Sequence, residues 1–430
     1  MNKEPGIKWL FLDLNSYFAS VEQQENPALR GKPVAVVPSD TDYTCAIAAS
    51  YEAKAYGIKT GTMIGDAKKM CPHLHCVVAR HRPYVEYHNR IIKEVSKHIP
   101  INKICSIDEL SSRLPPSKRN INSAQNIAAK IKKGLRKNIG AHIKCSIGVA
   151  PNSLLAKIAC DMKKPDGLTI IKQENLPGPL LDLKLIDIPG IGFNMHKRLN
   201  KAGIYTMEQL WGAAPKQARK IWNNVQGERL WYWLHGYDFE SPETKPSMIG
   251  HSRVLDPQKR DFHSAQHMAR HLLLKATYRL HNHGLIAQHL SFSVRIKNVG
   301  RWHKGIKIYA TDNAFTFLDQ FEILWQMMHK DIRENKSMAA DLRIQKVSVS
   351  LHKLVHKNTP TKDLFLHNHN DLSHKKTLKD QALFDAMKKL QNKYKSDVVT
   401  LGLPPKTNSG DIGTKIAFSR VPDIEEFWSE

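Results

Sequence analysis

Ile7, Trp9, Leu10, Phe11 and Leu12 make an apolar run of strand length, rich in β-branched and aromatic residues, and it stops at Asp13. From Ser16 the pattern changes, and Ser16 to Gln23 reads as a helix start with polar capping residues. A second run of the same kind, Ile104-Cys105-Ser106-Ile107, is expected as a strand ending in two adjacent acids, Asp108 and Glu109. Between the two, Pro33–Val37 and Cys45–Ala49 read as strands, and Tyr51 to Tyr56 as a short helix ended by Gly57. Tyr84, Tyr87, Ile91, Ile92 and Val95 recur at helical spacing, which predicts a helix over 84–99. Ile127, Ile131 and Leu135 predict another over 123–137, followed by a strand over 143–147.

The second half of the chain alternates differently. Residues 172–235 form a helical segment in which Ile188-Pro189-Gly190-Ile191-Gly192 would turn one helix into the next. The stretch 236–250 reads as a linker whose exposed part is Ser241-Pro242-Glu243-Thr244-Lys245-Pro246. Beyond it strands are expected over 250–255, 290–296, 305–309 and 344–351, with helices over 264–283 and 315–329. That order, β-α-β-β-α-β, makes a four-stranded sheet backed by two helices. From 373 the chain is polar until an amphipathic helix between Asp380 and Tyr394, and from Thr407 it reads as loosely structured. The fold class expected is α+β with several domains.

Length and charge narrow what such a chain is for. At 430 residues it exceeds a single core, so roughly two to four domains are expected. Hydrophobic residues are 41%, enough for true cores, yet no run approaches the ~18 apolar residues of a membrane span. Met1-Asn2-Lys3-Glu4-Pro5 carries no apolar signal segment, so a cytoplasmic location is expected. The six cysteines follow no disulfide-framework spacing. Cys71-Pro72-His73-Leu74-His75-Cys76 lacks the paired spacing of a zinc site and reads as a helix end followed by a strand. Lys plus Arg outnumber Asp plus Glu by 65 to 40, a net +25, which implies a polyanionic partner, nucleic acid before membrane.

Two strands ending in acids would bring Asp13, Asp108 and Glu109 around one point if they lie side by side in a sheet. Carboxylates that close repel, and bound cations relieve the repulsion. Magnesium prefers oxygen ligands and keeps positions open for phosphate, and a pair of such ions serves in-line displacement at phosphorus. Strand-end acids that are merely turn or capping residues are the plainer alternative. A Gly-x-Gly turn at a helix N-terminus, as at Gly190 and Gly192, binds a phosphate without reading sequence.

Read together, Asp13-Leu14-Asn15-Ser16-Tyr17-Phe18-Ala19-Ser20-Val21-Glu22 and Ser106-Ile107-Asp108-Glu109 resemble the two catalytic motifs of the Y-family translesion DNA polymerases, the UmuC/DinB-like (ImpB/MucB/SamB-type) group. The likeness continues through Ala49–Gly61, Ser146–Asn152, Lys157–Gly167 and Ile188–Gly192. The resemblance implies a right-hand architecture: a palm over 1–23 and 80–171, fingers over 24–79, a helical thumb over 172–235, the linker over 236–250, a little finger over 251–405 and a tail over 406–430. It implies a polymerase without proofreading, joining a dNTP to a primer 3′-hydroxyl on damaged primer–template DNA, in the setting of DNA repair and the SOS response. Asp13, Asp108 and Glu109 would hold two Mg²⁺ ions, with the Leu14 carbonyl as a further ligand.

The same resemblance gives Tyr17, Phe18, Tyr51, Lys54 and Lys164 to the nucleotide, Phe18 lying under the sugar to exclude a 2′-hydroxyl. Lys54 replaces a frequent Arg, so bidentate phosphate binding is lost there. Gly190, Gly192, Lys197, Arg198, Arg253, Arg295 and Lys297 would contact DNA. Gln381, Leu383 and Phe384 resemble the peptide by which bacterial polymerases hold a sliding clamp; the bland reading is a helix's buried face. One departure stands out. After Glu109 the family continues with a small residue, an aromatic, an apolar residue and an acid, whereas this chain has Leu110-Ser111-Ser112-Arg113. The rival expectation is therefore a catalytically weakened DNA-binding paralogue acting as an accessory factor. A nucleotide cyclase shares the two-metal logic but explains neither the hairpin nor the charge.

Overall fold

β1 (Trp9–Leu14) is the middle strand of a five-stranded sheet, and its residues alternate between two covered faces. In the computed structural model, which describes residues 6–239, 247–297, 299–334 and 343–357 with single residues between 379 and 421, the chain divides into two units built on Met1–Ser241 and Pro242–Gly410. The fold is α+β and multi-domain, and each unit is taken by itself.

In the first unit, β1 leads into α1 (Tyr17–Glu25). Then β2 (Val34–Val37), β3 (Ala48–Ala49), α2 (Tyr51–Ala55), α3 (Ile64–Met70) and β4 (His75–Val78) make a small subassembly in which β2 lies between β3 and β4. Its own core gathers Ala35, Val37, Ile58, Ile64 and Cys71. The chain returns through α4 (His81–Ser96), β5 (Lys103–Ile104), β6 (Glu109–Arg113), α5 (Ile121–Asn138), β7 (Cys145–Ala150), α6 (Ser153–Met162) and β8 (Leu168–Ile170). The strand order is β5-β6-β1-β7-β8, with β1 antiparallel to both neighbours.

Leu10, Leu12 and Leu14 point to the face covered by α4 and α5, where they meet Tyr84, Ile91, Val95, Ile131 and Leu135. Phe11 points to the other face, onto Leu155 and Ala159 of α6. A strand covered on both sides needs no polar face, which is why its apolar run is nearly unbroken. Leu10 and Leu12 have no exposed surface, and each such burial contributes roughly 1.5–3 kcal/mol. Asp13 lies on the α6 face by the same alternation.

Short helices complete this unit: α7 (Gly178–Leu181), α8 (Phe193–Lys201), α9 (Met207–Gly212), α10 (Pro215–Trp222) and α11 (Val225–Leu234). The Gly190–Gly192 turn follows a 3-10 turn, Leu185–Asp187, rather than a full helix. Trp222 packs this helical core, and Trp231 stacks on His235 with ring centroids 3.7 Å apart. The stretch 236–250 is shorter as a linker than its composition suggests. Asp238 accepts a hydrogen bond from Trp9 Nε1 at 2.9 Å and meets Arg113 at 3.2 Å, while Asn152 donates to the Tyr237 carbonyl at 3.0 Å.

The second unit runs β9 (Met248–Val254), α12 (Phe262–Asn282), β10 (Leu285–Ile296), β11 (Gly300–Thr311), α13 (Ala314–Glu334), β12 (Ile344–His352) and β13 (Val355–His356). The expected β-α-β-β-α-β order is present, with sheet order β11-β10-β12-β9 and the short β13 added beside β10. Leu290, Phe292, Val294 and Ile296 of β10 face the two helices, meeting Phe321 and Trp325 of α13.

Three expectations are corrected. Ile104 to Ile107 is not a strand: β5 ends at Ile104, a turn follows, and β6 begins at Glu109, so the acids open a strand instead of closing one. Ser106 causes this, since its hydroxyl donates to Asp108 Oδ1 at 2.5 Å and accepts from the Asp108 N–H, closing the turn locally. The segment from Cys45 is a strand only at Ala48–Ala49, with Cys45 bridging Met63. The 143–147 strand lies two to three residues later, as β7.

Candidate active site

The carboxylates meet through sheet register. Asp13 in β1 is the cross-strand partner of Glu109 in β6 on one side and of Ser146 in β7 on the other. The Leu14 N–H donates to the Asp108 carbonyl at 2.9 Å, which seats the turn against the end of β1. His88 holds the same turn from α4, its Nδ1 lying 2.7 Å from the Ile107 carbonyl oxygen.

α6 covers this end of the sheet with Lys157 and Asp161 one helical turn apart, and Lys164 follows just beyond its last turn. Lys164 Nζ lies 2.7 Å from Asp13 Oδ2 and 2.7 Å from Asp161 Oδ1, and Lys157 Nζ lies 2.5 Å from Glu109 Oε1. Burial pushes the Asp13 carboxyl up to about 7 against the pull of Lys164, with repulsion from Asp108 and Glu109 adding to the rise. Burial alone would lower the Lys164 ammonium, but Asp13 and Asp161 hold it above its usual range. Among the described residues no three His, Cys, Asp or Glu side chains form a ready cage for a cation. Two lysines and a serine hydroxyl engage the acids in this arrangement. The donor set is nonetheless all oxygen and electrostatically coupled, which is the chemistry that suits magnesium.

α2 faces the same centre. Lys54 Nζ sits 4.3 Å from the centre of the Tyr51 ring. The Tyr51 phenol is raised by burial, with Lys164 lowering it and Asp13 raising it; the Lys54 ammonium is lowered by burial and by Lys164. Tyr51, Lys54, Lys164 and Asp13 thus share one field. Tyr17 instead turns inward, its hydroxyl donating to the Tyr84 carbonyl at 2.6 Å. Phe18 is 7% exposed and stacks on Tyr84 with centroids 4.3 Å apart.

The departure after Glu109 leaves β6 intact. Ser111 and Ser112 are buried opposite Phe11 and Leu10, and Ser112 Oγ has no partner among the described residues. Arg113, standing where the family carries an acid, instead pairs with Asp238.

The DNA-contact expectations separate. Gly190 adopts φ 95, a conformation that favours glycine, with open space where a Cβ would stand, and Gly192 is the N-cap of α8. Lys197 lies over the exposed Phe193 ring at 4.3 Å, and Arg198 follows on the same helix. In the second unit Arg295 is the cross-strand partner of Arg301 in β11 and Lys346 in β12, on the face opposite the core, and Lys297 is exposed nearby. Arg253 is corrected: opposite Val347 it turns to the helix-covered face, where it is buried near His271. Lys304, on that same face, pairs with Asp331 at 2.8 Å. Gln381 and Phe384 lie outside the described residues, and Leu383 is half exposed. Missed from the sequence were Asn15, Ser146 and Lys132, which hold the loop that carries Lys164; their signal is Asn15 two residues after Asp13 and the turn Pro165-Asp166-Gly167.

The impB/mucB/samB family model matches residues 12–161, and the model of that family's C-terminal domain matches 246–364. A DNA polymerase IV of Moorella thermoacetica is 36% identical over 260 residues, 59% of this chain and 64% of that protein. That of Pelotomaculum thermopropionicum is 35% identical, with 62% of its length matched; both matches fall below two thirds of the relative. The DNA polymerase IV of Bacillus velezensis is 28% identical over 91% of both chains. Among solved structures, a chimeric Y-family DNA polymerase superposes with a TM-score of 0.67 at 23% identity, covering 81% of this chain and 99% of its own. An insertion ternary complex of Dbh DNA polymerase gives 0.52 at 25% identity, with the same coverage.

Proposed function

This chain belongs to the impB/mucB/samB family, and we propose that it is a template-directed DNA polymerase of the lesion-bypass kind, adding dNTPs to a primer 3′-hydroxyl across damaged DNA without proofreading. The observation that carries the reading is the meeting of Asp13 and Glu109 in sheet register, with Lys164, Tyr51 and Lys54 sharing the field of Asp13.

Asp13, Asp108, Glu109 and the Leu14 carbonyl would hold two Mg²⁺ ions. Bound there, the ions would supply acidity to the primer hydroxyl and neutralise charge on the triphosphate. The chain's own residues do the rest. Lys164 and Lys54 present ammonium groups, and Tyr51 a hydroxyl, to triphosphate oxygens. Phe18, braced by Tyr84, floors the sugar position. The N–H groups of the Gly190–Gly192 turn, with Lys197 and Arg198, take a DNA phosphate. Arg295, Arg301, Lys346 and Lys297 follow the backbone from the second unit, supplying affinity without sequence reading.

In this reading the five-stranded sheet is the palm (1–23 and 80–171), the β2–β4 subassembly the fingers (24–79), α7 to α11 the thumb (172–235), and residues 251–405 the little finger. Cytoplasmic location, clamp binding through Gln381, Leu383 and Phe384, and expression within the SOS response belong to the same proposal. The test is primer extension with Mg²⁺ on plain and lesion-bearing templates. Template-directed addition that passes a lesion is expected. No extension on either template, with DNA binding retained, would overturn the reading.

A further inference from the structure

Lys164 stands on a loop beyond α6, so the path of that loop's backbone decides where its ammonium reaches. Three side chains from three elements grip the loop. Just beyond β1, Asn15 Oδ1 accepts the Asp166 N–H at 2.7 Å, and Asn15 Nδ2 donates to Ser146 Oγ at 3.0 Å. A backbone N–H only donates, so it fixes which end of the amide faces the loop. From β7, Ser146 Oγ donates to the Lys163 carbonyl at 3.3 Å and accepts the Gly167 N–H at 3.3 Å. One hydroxyl donor and two accepted bonds use its full capacity. From α5, Lys132 Nζ donates to the Asp166 carbonyl, to Asp166 Oδ1 at 3.0 Å and to the Gly167 carbonyl at 3.0 Å, three donors for three oxygens.

The bonds made by Asn15 and Ser146 are shielded, since these residues are 2% and 0% exposed, whereas those of Lys132 to Asp166 lie at the surface. The loop itself is tightly wound. Asp166 sits at φ 54, and a Cβ on Gly167 would stand 1.8 Å from the Lys163 carbonyl oxygen. Both sides of Lys164 are therefore pinned, at Lys163 and at Asp166–Gly167, while its side chain is held only at its tip, by the ion pairs to Asp13 and Asp161.

We propose that Asn15, Ser146 and Lys132 are positioning residues for the incoming triphosphate, holding the 163–167 loop so that Lys164 passes from Asp13 to a phosphate oxygen by side-chain rotation alone. The inference rests on the polymerase reading. A loop already in place spares the ordering cost that binding would otherwise incur.

The test uses the full chain on primer–template DNA, with Ca²⁺ replacing Mg²⁺ so that dATP binds at equilibrium, and primer extension run on the same preparations. K132M and S146A are expected to raise the dATP Kd about tenfold, with primer–template affinity unchanged. K164M should do the same, and K132M in a K164M background should lose nothing further, because the grip acts through Lys164. K132R, whose planar fork cannot meet three oxygens from one nitrogen, should not restore binding. Hydrogen exchange of the Asp166 and Gly167 amides reports whether each variant has loosened the loop. Equal weakening by K132M in the parent and in K164M would overturn the proposal, as would a loosened loop with dATP affinity unchanged. A parent that binds dATP but extends no primer would refute the polymerase reading and leave the inference standing; one that binds no dATP would end both.

Discussion

Replacing Phe18 separates a packing role from a substrate-selecting one. The ring is 7% exposed and stacks on Tyr84, whose hydroxyl donates to Glu22 at 2.7 Å and whose carbonyl accepts from Tyr17. Phe18→Ala leaves a void beneath Tyr84 and should cost about 3–5 kcal/mol. In a unit built on Met1–Ser241 that corresponds to a fall in thermal midpoint of roughly 6–20 °C, at about 2–4 °C per kcal/mol. Phe18→Leu keeps most of the volume and loses the stacking, about 0.5–1.5 kcal/mol beyond its area, so its midpoint should fall far less. If the ring also floors the sugar, Phe18→Ala should narrow the preference for dNTP over rNTP at least about tenfold, with Phe18→Leu between the two. Single-nucleotide incorporation below the melting range, with both substrates on one preparation, measures this beside the thermal midpoint. An alanine variant that loses dNTP and rNTP use in equal proportion would confine Phe18 to packing.

Asp108→Ala should abolish extension while leaving primer–template affinity nearly intact, and a variant retaining a tenth of parental rate would break the metal assignment. DNA affinity should fall linearly in log salt with a steep slope, because Lys and Arg exceed Asp and Glu by 25; filter binding from low to high salt checks it, and a flat line would refute the phosphate footprint. Burial holds His271 of α12, with Lys275, Arg253 and His251 adding repulsion, down at about 3 against a usual 6.5. The unfolded chain takes up that proton first, so the second unit should lose about 2 kcal/mol as pH falls from 6.5 to 5. His271→Leu should flatten that loss in thermal melts, and an unchanged slope would assign it elsewhere.

What was legible in the sequence was what local pattern and register encode. The apolar run of Ile7 and Trp9 to Leu12, broken only by Lys8, announced a strand, and the second unit's alternation matched all its main elements, with ends off by a few residues. Asp108 and Glu109 were placed on the wrong side of a strand, because the Ser106 side chain closes the turn and hydroxyl-to-carboxylate bonding leaves no periodic trace. Arg253 and Arg295 read alike as strand cations; parity relative to the pairing register puts one against α12 and the other on the open face, and that register is set by partners distant in sequence. Asn15, Ser146 and Lys132 were missed for a related reason: beyond the place of Asn15 after Asp13 and the turn at Pro165-Asp166-Gly167, each looks ordinary beside its own neighbours and gains its role only when three elements close on one loop.

The row Arg301–Arg295–Lys346 has a consequence for the isolated protein. Like charges placed directly across strands repel, so the open face of the second unit is under lateral strain when nothing anionic lies on it. Added salt relieves that strain through screening, and under the proposed function the same salt would displace DNA by competing for the cations. A single variable thus acts in opposite senses, stabilising the fold while loosening its hold. Conversely, any polyanion that covers the row relaxes the sheet, and if DNA is that polyanion, part of its attraction would come from removing a repulsion the sheet otherwise bears alone.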